Sequence, residues 1–456
     1  MSDGKRYTGD RKDLEDFMDG VVQRNPDEKE FHQAVREVAA DVLPFIAEHD
    51  RYQRGKLLER MTEPDRVVSF RVSWIDDDGQ AQVNRGWRVQ FNNAIGPYKG
   101  GLRFDPGLTE SVLKFLGFEQ CFKNALTGLP IGGAKGGANF NPKGRSDGEI
   151  MRFCQALMNQ LVHYIGPNRD IPAGDIGVGQ REIGYLFGQY RTLTREFVGA
   201  LTGKGVSFGG SELRTEATGY GVLYFVKDML DRAGGDVDGQ RIAISGAGNV
   251  ALHAAEKAIE LGARVITLSD SGGTMHGRDG LDKEQLDTIK RMKVDRGCRV
   301  EQVAEELGWD YRKGETPWSA DCDIALPCAT QNELDGDDAK ALIGNGCRLV
   351  AEGANMPCTA EAVDRFQDKG VLYAPGKAAN AGGVAVSGLE RAQNAQHLVW
   401  TRDRVDDELQ KIMRDIHDRC ERHGGNGDGR PVNYRRGANI AGFEKLADAM
   451  IAQGVL

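Results

Sequence analysis

Arg241-Ile242-Ala243-Ile244-Ser245-Gly246-Ala247-Gly248-Asn249-Val250-Ala251 reads, in that order, as a buried strand, a tight turn and the start of a helix. The first five residues form the short apolar run that a sheet interior buries. Gly246 permits the tight turn, Gly248 lets backbone come close to a pyrophosphate, and Ala251 lets the helix lie against the sheet. The helix start then offers free N–H groups and a positive dipole end to phosphate. A Gly-x-Gly-x-x-Ala pattern alone also occurs at β–α turns that bind nothing. Here a strand precedes it, a helix follows, and an acidic residue, Asp270, closes the next strand. That context favours a dinucleotide site.

Working outward, strands are expected at 241–245, 264–269, 323–326, 347–351 and 371–373, with helical patterns between most of them, the first at 249–261. Such alternation implies a parallel, doubly wound sheet. This gives a Rossmann-type dinucleotide-binding domain over 206–380 and a helical connection over 381–424. Thr202-Gly203-Lys204-Gly205 and Phe208-Gly209-Gly210 read as the linker ahead of it. Residues 1–205 form a separate α/β substrate-binding and assembly domain, with a cleft between the two. Within it, Phe31, Val35, Val38 and Val42 mark a helix over 27–49, and Thr109 can cap one running to about Thr127. Another helix is expected over 147–164. Val68, Phe70, Val72 and Trp74, the turn Asp76-Asp77-Asp78-Gly79, and Val83, Trp87, Val89 and Phe91 make a hairpin. Asn93–Gly101 and Ile171–Gly177 read as glycine-rich loops. Gly424-Gly425-Asn426-Gly427 breaks the helical pattern before a last helix near 438–453. Residues 425–456 are expected to pack back onto the first domain.

The chain has 456 residues, 40% hydrophobic and 28% charged, which suits two or three soluble domains. A net charge of −9 argues against nucleic-acid or anionic membrane partners. No apolar run approaches the roughly 20 residues of a membrane span. The N-terminal segment has no apolar signal core, so a cytoplasmic location is expected. Eight cysteines occur without a C-x-x-C pair or a histidine cluster, so reduced structural thiols and no metal site are expected.

Chemistry is concentrated in Gly132-Gly133-Ala134-Lys135-Gly136-Gly137, where a lysine has only backbone around it. Lys99 sits in Gly96-Pro97-Tyr98-Lys99-Gly100-Gly101, and Gln120 and Lys123 are three apart on one helix, facing the same way. A single lysine is usually a solvated surface residue, but Lys99 and Lys135 have glycine settings. Several ammonium groups around one pocket suit a dicarboxylate, and one of them can be deprotonated by burial and by its neighbours. Lys123 is the neighbour expected to do so to Lys135. Asp175, between Gly174 and Gly177, can shuttle protons or can simply form the turn.

The coenzyme is less plain. Asp270 at the end of the second strand argues for ribose hydroxyls and hence NAD. Lys293, Arg296 and Arg299 recur at three-residue spacing. On one helix face they would converge on a 2′-phosphate, or they are a solvated basic face.

Longer segments carry a resemblance. IGPYKGGLRF, KFLGFEQCFKNALTGLPIGGAKGG, PAGDIGVGQREIGYLFG, TGKGVSFGGSELRTEATGYG, ISGAGNV, LPCATQNEL, AEGANMP and APGKAANAGGVAVSGLE resemble the small-subunit, hexameric, NADP-dependent glutamate dehydrogenases of the Glu/Leu/Phe/Val dehydrogenase family. The resemblance spans nearly the whole chain. It implies Lys135 as the catalytic lysine with Asp175 as proton-transfer partner. Lys123 and Gln120 would take the substrate α-carboxylate, backbone near Gly174 the amino acid, and Lys99 and Ser387 the γ-carboxylate. Thr218 and Asn355 would lie along the nicotinamide, and Gly246, Gly248, Asn249 and Val250 at the phosphates. Ser269, Asp270, Lys293, Arg296 and Arg299 match NADP-preferring members, which turns the coenzyme expectation to NADP(H). The implied reaction is reversible deamination of L-glutamate to 2-oxoglutarate and ammonium by a homohexamer. A branched-chain or aromatic amino-acid dehydrogenase and a non-catalytic nucleotide-binding homologue are the alternatives.

Overall fold

The structure is a computed structural model that describes residues 6–425 and 431–455. Asn426 and Gly427 of the expected glycine break lie outside the described residues. Two compact units divide the chain: 1–212 with 386–405 and 439–456, and 213–385 with 406–438. The stretch 381–424 therefore contributes to both units.

The first unit is built on a five-stranded sheet. Its strands are β1 (Arg66–Ile75), β2 (Ala81–Asn92), β3 (Tyr98–Phe104), β4 (Gly133–Ala138) and β5 (Asp170–Gly174), in the order β1-β2-β4-β3-β5. β1 and β2 are the expected hairpin, Ile75 opposite Ala81, and β2 runs antiparallel to β4. β3 lies parallel to both β4 and β5. One face carries Val72, Trp74, Leu102, Phe104 and Ala138. They pack with Phe153 and Leu157 of the helix Asp147–Leu161 and with Ile183 and Leu186 of Gln180–Thr194. On the other face Phe91 meets Phe31 of the helix Lys29–Glu48 and Phe118 of the helix Glu110–Leu126. Thr109 caps that last helix by accepting the Val112 N–H at 3.3 Å.

Two expectations are corrected here. Much of Asn93–Gly101 and Ile171–Gly177 is strand, because β3 and β5 begin and end inside those glycine-rich stretches. The glycines of β4 serve close packing within a sheet. A Cβ on Gly133 would sit 2.2 Å from Cys121 Sγ, so the helix can lie against β4 only with hydrogen there. Gly137, at φ +151°, runs so close to β3 that a Cβ would meet the Arg103 carbonyl oxygen at 2.0 Å.

The second unit has a seven-stranded sheet of β6 (Arg241–Ile244), β7 (Arg264–Asp270), β8 (Gly273–His276), β9 (Asp310–Lys313), β10 (Ile324–Leu326), β11 (Leu349–Ala351) and β12 (Leu372–Ala374). The order is β12-β11-β10-β6-β7-β8-β9. From β12 to β7 all neighbours are parallel, which is the Rossmann-type core the sequence implied. β8 and β9 add an antiparallel edge, so the sheet is mixed rather than wholly parallel. Their four-residue strands are too short for a period-2 pattern to register in the sequence. The strand order reverses between β6 and β10, and ligands of open α/β sheets bind at the carboxyl ends of strands beside such a reversal. The last helix begins at Tyr434, ahead of the expected 438. No helix among the described residues is long and apolar enough to cross a membrane. All eight cysteines are free thiols.

Candidate active site

In the first unit, β4 holds Lys135 opposite Val89 of β2, with all six residues of the strand buried. Strand alternation turns Lys135 toward the helix Glu110–Leu126, where Gly117 leaves room: a Cβ there would lie 3.7 Å from Lys135 Cβ. Lys135 Nζ is 3.3 Å from Asp175 Oδ1, with side chains 5% and 15% exposed. Asp175 follows β5 directly, and Gly101 on β3 admits it, since a Cβ there would stand 2.8 Å from Asp175 Cβ. The other carboxylate oxygen, Oδ2, accepts from Arg103 Nε at 2.8 Å.

Burial drives the Lys135 ammonium below its ordinary range. Asp175 opposes that, while Arg103 and Arg88 add to it. Lys123 was the cation expected to depress Lys135; Arg103 and Arg88 do so instead. Arg103 reaches this face from β3, whereas Arg88 acts from the opposite face of β2, where it pairs with Gly136 rather than Lys135. Burial works to raise Asp175, but Lys135 and Arg103 outweigh it and hold the carboxyl below the usual carboxylate range. An amine held below its ordinary range beside a carboxylate is an arrangement that can exchange protons.

Lys99 is 1% exposed, and its Nζ donates to Thr202 Oγ1 at 2.5 Å and to the Ile171 carbonyl at 3.5 Å. Gln120 is buried and donates to Asn124 Oδ1 at 2.7 Å, and Lys123, one turn further along the helix, is half-buried. Asn124 in turn donates to the carbonyls of Lys99 and Gly132, tying helix, β3 and the glycine run together. Gly174 ends β5, and Ser387 is buried in the part of the helix Gly382–Gln396 that belongs to this unit. The sequence reading marks neither Arg103 nor Asn124, and takes Thr202 only as part of a linker. The one signal for Arg103 is period-2 alternation from Gly101, visible only once 98–104 is known to be a strand.

In the second unit, Gly246 turns at φ +81° beside Cys328 and Ala329, at the carboxyl ends of β6 and β10. Ser269 fixes that turn: its Oγ accepts the Gly246 N–H at 2.9 Å. A Cβ on Gly248 would meet no atom within 4 Å, so protein packing does not demand glycine there. The helix Asn249–Glu260 has no side-chain cap at Gly248, which leaves its first-turn N–H groups for an anion. The Asn249 side chain donates to the Thr215 carbonyl at 2.7 Å, and Val250 is half-buried. Asn355 accepts from Asn380 at 3.2 Å, and Thr218 Oγ1 lies where a Cβ on Gly383 would be, 2.4 Å away. These features fit a bound dinucleotide phosphate.

At the end of β7, Asp270 Oδ1 accepts the Gly272 N–H at 2.8 Å and Oδ2 the Val300 N–H at 2.9 Å. Lys293 Nζ and Arg299 Nε each come within 3.5 Å of Oδ2. Arg299 also donates to Ser271 Oγ at 3.0 Å. Burial acts to raise Asp270, but the two N–H bonds and the two cations hold it below the usual carboxylate range. Its oxygens are therefore engaged by protein, which weakens the argument that Asp270 selects ribose hydroxyls. The basic trio does not share a helix face. Lys293 lies in a wide turn, Arg291–Asp295, Arg296 is exposed just after it, and Arg299 caps the next helix, Val300–Leu307. Lys293 and Arg299 nevertheless converge on Asp270, and a Cβ on Gly272 would lie 3.0 Å from the Tyr311 hydroxyl and 3.1 Å from Arg299.

The family model described as Glutamate/Leucine/Phenylalanine/Valine dehydrogenase matches residues 209–454, and that described as Glu/Leu/Phe/Val dehydrogenase, dimerisation domain, matches residues 64–192. The NADP-specific glutamate dehydrogenase of Salmonella typhi is 58% identical over 443 residues, 97% of this chain and 99% of that one. The NAD-specific glutamate dehydrogenase of Bacteroides fragilis is 53% identical over 444 residues, 97% of this chain and 100% of that one. The crystal structure of Plasmodium falciparum glutamate dehydrogenase matches with a TM-score of 0.95 at 47% identity, covering 98% of this chain and 95% of that one. Fold, glycine-lined lysine and sequence agree, and the chain belongs to the glutamate/leucine/phenylalanine/valine dehydrogenase family.

Proposed function

We propose that this chain catalyses the reversible oxidative deamination of L-glutamate to 2-oxoglutarate and ammonium with NADP(H). The observation that carries the chemistry is the buried Lys135–Asp175 pair, 3.3 Å apart, with Lys135 on a strand of glycine and alanine and Asp175 just after β5. Relatives named as NADP-specific glutamate dehydrogenases, at 58% identity over 97% of the chain, support both substrate and coenzyme.

In this reading Lys123 and Gln120 hold the substrate α-carboxylate, with the backbone at Gly174 against the amino acid. Lys99 and Ser387 take the γ-carboxylate. NADP⁺ supplies the hydride acceptor for the α-carbon, and NADPH the donor in the reverse direction. Loss of hydride leaves an imine on the substrate. Lys135, as the free amine, takes a proton from the water that attacks this carbon, and Asp175 relays a proton to the departing nitrogen. Collapse of the carbinolamine releases ammonia and 2-oxoglutarate. Gly246, Gly248, Asn249 and Val250 hold the phosphates, with Thr218 and Asn355 along the nicotinamide. Lys293 and Arg299, with Ser269, Asp270 and Arg296 around them, receive the 2′-phosphate. Self-association to a homohexamer, a cytoplasmic location and a role in ammonium assimilation complete the proposal.

The test is steady-state oxidation of NADPH and, separately, NADH with 2-oxoglutarate and ammonium, beside 4-methyl-2-oxopentanoate. Turnover with NADPH and 2-oxoglutarate is expected, with at most a trace on the branched-chain acid. Equal rates with NADH would overturn the 2′-phosphate assignment, as a relative named NAD-specific makes worth checking. No turnover with either coenzyme would favour a non-catalytic homologue.

A further inference from the structure

Arg103 has no role in the scheme above, yet it bonds the carboxylate that the scheme depends on. It projects from β3 on the face opposite Leu102 and Phe104, is 14% exposed, and reaches Asp175 Oδ2 through Nε at 2.8 Å. Lys135 approaches the other oxygen, Oδ1, at 3.3 Å. Asp175 is thus divided between a cation that never titrates and one that can. We propose that Arg103 is a positioning residue for proton transfer: by holding one oxygen of Asp175, it orients the carboxylate and leaves Lys135 a shared rather than a captured proton. This rests on the reading of Lys135 and Asp175 as the proton-transfer pair.

The electrostatics agree in sign. Asp175 favours the lysine ammonium, while Arg103 disfavours it both directly and by drawing on the same carboxylate. Other charged groups lie on the neighbouring strand and helix. Arg88 on β2 is balanced by Asp170 on β5, its Nε 2.9 Å from Oδ2. On the helix packed against β4, Lys114 is paired with Glu28 at 2.8 Å. Burial pushes the Cys121 thiol well above its ordinary range, so it stays neutral. Glu110, Glu119 and Lys123 are the other charged residues of that helix. With Arg103 gone, Asp175 acts on Lys135 undivided, and the lysine holds its proton to higher pH.

The experiment is the pH dependence of kcat/KM for glutamate oxidation in wild type, Arg103→Gln and Arg103→Lys, with Lys135→Ala alongside. The rate rises with pH as Lys135 loses its proton. In Arg103→Gln that rising limb moves up by about one pH unit, and in Arg103→Lys, which returns a cation to β3, by less. If Arg103→Gln fails to fold, Arg103→Lys carries the test, and its limb must still lie above that of wild type. A uniform loss of rate with an unmoved limb overturns the proposal and makes Arg103 merely structural. Near-normal turnover in Lys135→Ala overturns the catalytic reading itself, so the two failures are distinguishable.

Discussion

Asp175 and Asp270 look alike in their immediate company. Each lies between a lysine and an arginine, each has a side chain 15% exposed, and in each the ionised form wins over burial. They differ in what else holds them. Asp270 accepts two backbone N–H groups, one on each oxygen, so its position and charge are fixed by the chain itself. Asp175 follows a strand end and takes its side-chain bonds from Arg103 and Lys135, one of which can give up its proton. A carboxylate tied by backbone serves as an anchor for nearby cations. A carboxylate shared with a buried lysine whose ammonium is disfavoured by burial can take part in chemistry.

The largest expected effect follows from Asp175. Asp175→Asn keeps the shape but cannot carry the proton. Its kcat should fall by about 10²- to 10⁴-fold, the usual worth of a positioned acid–base group. NADPH binding, followed by fluorescence titration, should stay within about twofold, because the residues proposed to hold the phosphates lie in the other unit. A kcat near wild type would make Asp175 an anchor like Asp270 and erase the distinction.

A smaller effect is expected at Arg299. Its guanidinium is 57% exposed and donates to Ser271 at 3.0 Å. Arg299→Ala should cost roughly 1.5–3 kcal/mol of NADPH binding, the range for a hydrogen bond to a charged group, or about 10- to 140-fold in Kd. NADH, which lacks the 2′-phosphate, should be nearly unaffected. Equal losses for both coenzymes would show that Arg299 only organises the loop.

The second unit was the more legible of the two from sequence. The strand 241–244 and the helix 249–260 announce themselves because apolar β-branched residues, a glycine turn and an uncapped helix start occur in the order a dinucleotide turn needs. In the first unit the critical strands are written in glycine and proline. Tyr98-Lys99-Gly100-Gly101 and Asp170-Ile171-Pro172-Ala173-Gly174 lack the side chains whose alternation betrays a strand, so they read as loops. Their small residues are there because neighbouring strands, a helix and Asp175 crowd in, a tertiary cause that leaves no local pattern. Arg103 was hidden for the same reason. Lys293 and Arg299 were found through a helical spacing that the chain does not adopt. What brings them together is Asp270, 23 and 29 residues upstream, and no spacing rule reports that.

The finest test of the comparison is Asp270→Asn. The amide still accepts from one N–H, but its NH₂ now opposes the other N–H or the two cations. The loss of folding stability at neutral pH should be on the order of 1 kcal/mol, about one hydrogen bond's worth. Its pH dependence has a definite sign. The folded-state pKa of Asp270 is held below the ordinary carboxylate value, so its stabilisation is present above that ordinary value, about 3.9, and is lost as pH falls through the folded value. Melting curves of wild type and Asp270→Asn should therefore lie apart at pH 7 and converge below about pH 4. The coenzyme response separates anchor from ligand. If Asp270 only restrains Lys293 and Arg299, removing its charge leaves NADH kinetics unchanged and NADPH bound at least as tightly. If it accepts the ribose hydroxyls, NADH binding must weaken, and the backbone bonds would then have to yield an oxygen that the folded chain already holds on two sides.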